Sequence, residues 1–289
     1  MKKKMFTICT VLLFLAALCL TLYPLISNYV NQKYASQIHT AYQEVMEQID
    51  DSALREAKEQ AEIYNHSLIP GASTQDTYSQ EGLLAASADY DSQLNLAGNG
   101  IMGYVEIPSI RVTLPIYHGT DDKTLEKGVG HLLGSSLPVG GESTHTVLTA
   151  HSGMASQRMF SDLDMLKTGD VFYLDVLGER MAYQVDQIKT VLPYDTTYLG
   201  IVNCEDHATL VTCTPFGVNT HRLLVRGVRI PYEEAEVIIE ETTPEEMPES
   251  TWEQEYMNGI YIAIGIVVLV GLIALAVWLY QRYHNEGMA

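Results

Sequence analysis

The stretch ATLVTCTPFGVNTHRLLVRGVRI, residues 208–230, carries the clearest fold signal in the chain. Two runs rich in apolar and β-branched residues, 208–212 and 221–230, lie on either side of a turn segment that contains proline and glycine. Such an arrangement predicts two strands joined by a turn. Cys213 follows the first run and Arg222 lies at the start of the second, so the two side chains are expected to meet if the strands pair as neighbours.

Similar runs occupy the chain from about residue 100 onward. Five more strands are predicted, at residues 102–106, 111–118, 144–150, 171–176 and 181–192, with short helical pieces at 123–127 and 159–165. Seven strands within roughly 130 residues are typical of a closed barrel or a sandwich. A long helix is predicted before this β region, because apolar residues recur at a helical spacing over residues 29–65.

Two apolar stretches without charged residues lie near the ends of the chain, at 5–26 and 258–280. Each is long enough, at ~1.5 Å per residue, to cross a bilayer core of ~30 Å. Lysines at positions 2–4 precede the first stretch and Arg282 follows the second, which by the positive-inside rule places both termini in the cytoplasm. A cleaved signal peptide is the alternative for the first stretch, but no small-residue cleavage site follows it. We therefore expect two membrane-spanning helices and a lipid bilayer as partner.

The charge balance excludes one class of partner. Acidic residues number 36 and basic residues 17, a formal net charge of −19. Proteins that bind nucleic acid present a basic face to its phosphates, so nucleic acid is not expected as a partner. Residues 233–255 hold ten acidic side chains and no basic one, which predicts a solvated tether.

Three residue types suited to acyl transfer fall at predicted strand ends. Cys213 lies just before a turn, where a thiol can open into the mouth of a cleft. His151, in the segment TAHSG, ends another strand beside a glycine and would supply the base or cation that a thiolate nucleophile needs. Arg222 keeps its charge and offers several N–H donors to a developing oxyanion.

Each of these residues has an ordinary alternative reading. Cys213 would equally suit a small buried apolar position, or it could form a disulfide bond with Cys204, nine residues earlier. His151 would be an ordinary loop residue, and Arg222 a solvent-exposed charge on an edge strand.

The segments THTVLTAHSG, TLVTCTP and NTHRLLVRG resemble the three signature segments of sortases and occur in that family's order. The resemblance covers about residues 100–230. It implies an eight-stranded β-barrel with a cleft at the strand ends. It also implies that His151 is the catalytic histidine, Cys213 the nucleophile and Arg222 the catalytic arginine.

The flanking segments resemble class C sortases, the pilin-polymerising group of Gram-positive bacteria. GIMGYVEIP at 100–108 and HLLGSSLP at 131–138 are similar to segments of that class. Its members often carry a lid with an Asp-Pro-aromatic motif, and here Asp76 and Tyr78 flank a threonine where the proline is expected. The resemblance therefore makes Asp76 and Tyr78 candidate lid residues.

The resemblance implies cleavage of a Leu-Pro-x-Thr-Gly-like sorting signal through a thioacyl intermediate and transfer to a pilin lysine amine. Attachment of surface proteins to peptidoglycan, a hydrolytic cysteine peptidase and a non-catalytic membrane-anchored scaffold are the alternatives. No cofactor is expected. No metal site is expected either, because the remaining histidines in the central region lack ligand spacing and suit surface or hydrogen-bonded positions: His118, His131, His145, His207 and His221.

Together these features predict six segments and a localisation. The predicted segments are a lysine tail with a transmembrane anchor (1–27), the N-terminal helix with the candidate lid (28–98), the barrel domain (99–232), an acidic tether (233–257), a second transmembrane helix (258–280) and a cytoplasmic tail (281–289). We therefore expect a cell-membrane protein with two spans, an extracytoplasmic catalytic domain and both termini in the cytoplasm.

Overall fold

The computed structural model describes residues 2–68, 90–154, 157–242, 254, 256–268, 271, 272 and 276. Leu22–Met247 form one compact unit, and Met1–Thr21 with Pro248–Ala289 form a second. The α-helices are α1 (Lys2–Gln48), α2 (Asp51–Ser67), α3 (Asp122–Leu125) and α4 (Tyr232–Thr242), with helical residues also described within 254–276.

The larger unit contains a closed barrel of eight strands. The strands are β1 (Ile101–Ile107), β2 (Val112–His118), β3 (Val129–His131), β4 (Thr144–Thr149), β5 (Val171–Val176), β6 (Glu179–Val191), β7 (Asp206–Thr214) and β8 (His221–Ile230). Around the barrel they follow the order β1-β2-β3-β4-β7-β8-β6-β5, and the last strand pairs with the first. The β2–β3 and β4–β7 pairs are parallel and the others antiparallel.

Apolar side chains from every wall of the barrel fill its interior. Met102, Leu148, Phe172 and Val225 are among those with no exposed surface. Phe172 stacks on Tyr183 with ring centroids 5.6 Å apart. Full burial of such side chains contributes roughly 1.5–3 kcal/mol each, so this core holds the strand ends in fixed relative positions.

The helices α1 and α2 pack on the outside of the barrel domain. Tyr42 and Met46 of α1 are buried against Ile101 and Tyr104 of β1. Asn65 of α2 is buried and forms two hydrogen bonds with the backbone of Leu137. The single helix predicted over residues 29–65 is thus two helices.

The seven predicted strands are present, whereas the helical piece predicted at 159–165 is only a 3-10 turn at Leu163–Met165. β3 was missed because three residues are too few for an alternating pattern, and its place depends on parallel pairing with β2. The acidic segment predicted as a tether begins with α4, whose Ala235 is fully buried. Ala235 packs with Tyr173 of β5 because apolar residues of α4 face the barrel.

The barrel of the predicted fold class is present, but the two membrane-spanning helices predicted at 5–26 and 258–280 are wrong. Over the residues that the structure describes, none of the helices combines the length and the apolar character that a membrane crossing requires. The predicted localisation with two spans is wrong for the same reason, and the described residues do not support a lipid bilayer as partner through two spans.

Candidate active site

The site lies where β4, β7 and β8 end side by side. Thr149 of β4 pairs with Val211 of β7 in a parallel register, and the two strands run on in the same direction. Continuing that register by two residues brings His151 beside Cys213. The parallel pairing joins segments about 60 residues apart in sequence, and it is what brings the histidine to the cysteine.

Cys213 and Arg222 face each other across the antiparallel β7–β8 pair. Residues directly opposite in such a pair have Cα atoms about 4.5–5.5 Å apart and point to the same face of the sheet. On its other side Arg222 pairs with Val191 of β6. The sequence-based expectation that the two strands are neighbours is therefore confirmed, and the guanidinium and the thiol share one face.

Arg222 is held by backbone carbonyl groups and keeps its charge available. Its Nη1 donates to the carbonyl of His221 at 3.0 Å and to that of Asn219 at 3.4 Å. Within the described part of the chain it forms no ion pair. Because carbonyl groups do not neutralise a guanidinium, an anionic group that develops near Cys213 would find an uncompensated cation.

Hydroxyl groups join the His151 turn to β7. Thr212 Oγ1 donates to the carbonyl of Ala150 at 2.8 Å, and Ser152 Oγ donates to the carbonyl of Cys213 at 2.6 Å. The N–H of Phe160 donates to the carbonyl of His151 at 3.1 Å, which closes the loop that follows. Sequence reasoning missed Ser152 and Thr212, because a hydroxyl residue in a turn or a strand has no distinctive sequence pattern.

The three predicted catalytic side chains are each partly exposed. A substrate carbonyl can therefore reach the thiol, while a fully buried thiol would be inert. The disulfide alternative is wrong: Cys213 and Cys204 are both free thiols, and Cys204 is exposed in the β6–β7 connection. A thiol, an imidazole and a guanidinium on adjacent strand ends form the residue set for nucleophilic acyl transfer.

The histidines inside the barrel walls differ from His151. His145 of β4 is fully enclosed; its Nδ1 donates to the carbonyl of Gly200 at 2.9 Å, and its Nε2 lies 2.7 Å from Thr209 Oγ1. His131 of β3 is equally buried and donates from Nε2 to the carbonyl of Ser136 at 2.9 Å. Burial lowers the pKa of each to about 4, because the charged ring would lose its hydration.

His207 of β7 lies opposite His145, with ring centroids 5.4 Å apart. Burial lowers its pKa as well, and its Nε2 lies 3.0 Å from a carboxylate oxygen of Glu205. The side chain of His118 bonds the carbonyl of Gln93 at 2.7 Å, and that of His221 lies 2.9 Å from Thr220 Oγ1. The described residues contain no cluster of three or more side chains suited to a metal ion.

The two candidate lid residues, Asp76 and Tyr78, lie outside the described residues. The predicted lid therefore stays a prediction.

Comparison with known proteins gives matches of three kinds. The family model described as "Sortase domain" matches residues 105–230. Sortase D of Bacillus subtilis is 33% identical over 131 residues, which are 44% of this chain and 63% of that protein. The chain thus spans less than two thirds of the length of this curated relative.

Solved structures align over more of the chain. A sortase C of Streptococcus pneumoniae, described as informative on catalysis and pilin substrate specificity, is 46% identical with a TM-score of 0.61, covering 68% of this chain and 97% of that one. Sortase C1 of Streptococcus agalactiae is 45% identical with a TM-score of 0.59, covering 68% of this chain and 98% of that one.

Proposed function

This chain belongs to the sortase family, whose members are cysteine transpeptidases, and we propose that it cleaves a Leu-Pro-x-Thr-Gly-like sorting signal and transfers it to a pilin lysine. The similarity to class C sortases predicted from the motifs is confirmed by the solved structures it matches. One observation carries the proposal: the segments bearing His151, Cys213 and Arg222 end side by side on one edge of the barrel.

In the first half of the proposed reaction, the Cys213 thiolate attacks the carbonyl carbon of the signal's threonine. The carbonyl oxygen becomes an oxyanion, which the Arg222 guanidinium stabilises through N–H donors. The tetrahedral intermediate collapses, the threonine–glycine C–N bond breaks, and the His151 imidazolium gives its proton to the departing glycine amine. The product is a thioester between Cys213 and the threonine acyl group.

In the second half, a lysine amine of a pilin subunit attacks the thioester carbon. His151, now a neutral imidazole, takes the proton from the attacking nitrogen. The carbon–sulfur bond breaks, Cys213 leaves as a thiolate, and an isopeptide bond joins the two proteins. A neutral thiol and a neutral imidazole at rest would also serve, since one proton transfer between them gives the reactive pair.

The pilin acceptor is supported by solved relatives that align over 68% of the chain. The S. pneumoniae sortase C whose description names pilin substrate specificity is aligned over 97% of its length at 46% identity. Attachment of surface proteins to peptidoglycan is the alternative, and it differs in the amine that accepts the acyl group.

A competition between acceptors tests the proposal. The full chain is incubated with a Leu-Pro-x-Thr-Gly peptide together with a lysine-bearing pilin domain and a peptidoglycan stem-peptide amine, and products are identified by intact mass. We expect an isopeptide-linked pilin product with wild type and with Cys204→Ala, and none with Cys213→Ala. Transfer to the stem-peptide amine alone, release of free acid alone, or no turnover would contradict pilin transfer.

A further inference from the structure

The backbone ladder between β4 and β7 stops just before the proposed reactive residues. Its last bond along β4 runs from the N–H of Ala150 to the carbonyl of Val211, at 3.1 Å. Donors on one strand of a parallel pair alternate, so the next bond in register would join the N–H of Ser152 to the carbonyl of Cys213. β4 ends at Thr149, however, and the chain turns away at Gly153, where φ is +75°.

The side chain of Ser152 takes over the bond that the backbone does not make. Its hydroxyl donates to the carbonyl of Cys213 at 2.6 Å. The rest of the turn is bonded to its own loop: the N–H of Gly153 donates to Ser161 Oγ at 3.1 Å, and the carbonyl of His151 accepts from Phe160. Of the hydrogen bonds described for residues 151–153, the Ser152 hydroxyl bond is thus the one that reaches β7.

We propose that Ser152 is a positioning residue of the transfer reaction, because its hydroxyl keeps the backbone of His151 in register with that of Cys213. This inference rests on the proposed roles of those two residues. Ser152 directly follows His151 in the chain and binds the carbonyl of Cys213 itself, so this bond restrains the distance between the backbone positions that carry the two side chains. Misplacing a catalytic group by about 1 Å can slow an enzyme by as much as 10²-fold.

Loss of the bond is expected to act on the rate of chemistry more than on binding. One hydrogen bond corresponds to about a fivefold change in an equilibrium or rate, since its net contribution is ~1 kcal/mol. Ser152→Ala should therefore lower kcat about fivefold while KM stays within about twofold, because the hydroxyl binds the enzyme's own backbone. Ser152→Thr keeps the hydroxyl and should restore most of kcat.

The test uses the full chain and two readouts. The first is kcat and KM for transfer of the sorting peptide; the second is the rate of Cys213 alkylation by iodoacetamide at pH 7, read by peptide mapping, which needs no substrate. Ser67→Ala is the matched control, because Ser67 Oγ also donates to a backbone carbonyl at 2.6 Å, that of Tyr64 in α2. We expect Ser152→Ala to lower kcat and to change the rate of Cys213 alkylation. Ser152→Thr should restore both quantities, and Ser67→Ala should leave both unaffected.

Two results would overturn the inference. One is unchanged kcat and unchanged alkylation in Ser152→Ala; the other is a Thr variant as slow as the Ala variant. Failure of the proposed function looks different, because wild type would then transfer nothing. In that case the alkylation rates of wild type, Ser152→Ala and Ser152→Thr still decide whether the hydroxyl positions the thiol.

Discussion

The β4–β7 strand pair has histidines near both of its ends, and the two ends differ in how deeply these side chains are buried. Near the start of the strands, His145 and His207 face each other inside packed walls. Two residues beyond the end of β4, the strand register places His151 next to Cys213 at a partly exposed edge, where the backbone ladder ends and side-chain hydroxyl groups form the hydrogen bonds. The two histidines near the start of the strand pair are thus buried, whereas His151 and Cys213 near its end are partly exposed.

The largest expected effect is on transfer and concerns the exposed end. His151→Gln keeps an amide of similar reach but removes the group that gives and takes a proton, a contribution typically of about 10²–10⁴-fold. We expect transfer to fall by that factor while the thermal unfolding midpoint stays close to that of wild type. Steady-state rates and differential scanning calorimetry measure the two quantities. If His151→Gln lowered the unfolding midpoint but kept the wild-type transfer rate, His151 would be a structural residue and not a proton donor and acceptor.

A slightly smaller effect is expected at Arg222. Removing one donor to an oxyanion costs about 10²–10³-fold in kcat, and Arg222→Ala should lose that much. Arg222→Lys should recover part of it, because the charge is retained while the planar set of donors is lost. Arg226→Lys is the control, since Arg226 lies on the same strand as Arg222 but forms an ion pair with Asp186 of β6 and does not lie opposite Cys213. Equal rates for the Ala variant and wild type would remove Arg222 from the mechanism.

At the buried end the expected effect is on stability. His145→Ala leaves the carbonyl of Gly200 and the hydroxyl of Thr209 without a partner and opens a cavity. The two losses together predict about 2–4 kcal/mol less free energy of unfolding, measured by urea denaturation. His66→Ala, an exposed histidine of α2, should change it by less than about 0.5 kcal/mol. If both variants unfold at the same urea concentration, His145 is not held as described.

Lowering the pH from about 6.5 towards 4 should reduce the free energy of unfolding, because the buried histidines resist protonation in the folded chain. His131 and His145 have pKa values near 4 in the folded chain, against an ordinary value of about 6.5 when unfolded. The unfolded chain therefore binds more protons as the pH falls below about 6.5, and stability drops towards pH 4 by up to about 3 kcal/mol for each histidine. Urea midpoints between pH 7.5 and 4.5 measure this slope. His145→Gln should make it shallower, and an equal slope in that variant would contradict the assignment.

The sequence was informative where structure is local. Alternating apolar runs identified seven of the eight strands, and the turn between 208–212 and 221–230 was enough to place Cys213 next to Arg222. The parallel β4–β7 pairing was beyond such reasoning, because no turn joins the two strands and register depends on the assembled barrel. His151 was therefore placed beside the thiol by family resemblance rather than by pattern.

Two other features were misjudged for physical reasons. Apolar composition alone predicted two membrane spans, but over the described residues none of the helices combines the length and the apolar character of a membrane crossing. The hydroxyls of Ser152 and Thr212 passed unnoticed, because a hydroxyl residue in a turn or strand has no distinctive periodicity. Their role follows only from which carbonyl groups the strand ends leave unpaired.

The thiol that carries the acyl group decides whether Cys213 is the nucleophile. Cys204 and Cys213 are both free thiols, and Cys204 is the more exposed, so accessibility alone would favour Cys204. The full chain is treated with a Leu-Pro-x-Thr-Gly peptide, quenched in acid and digested, and the thioester-bearing peptide is identified by mass. We predict the acyl group on Cys213 only, and its absence in His151→Gln and Arg222→Ala at short times. An acyl group on Cys204, or equal labelling of both thiols, would contradict the account.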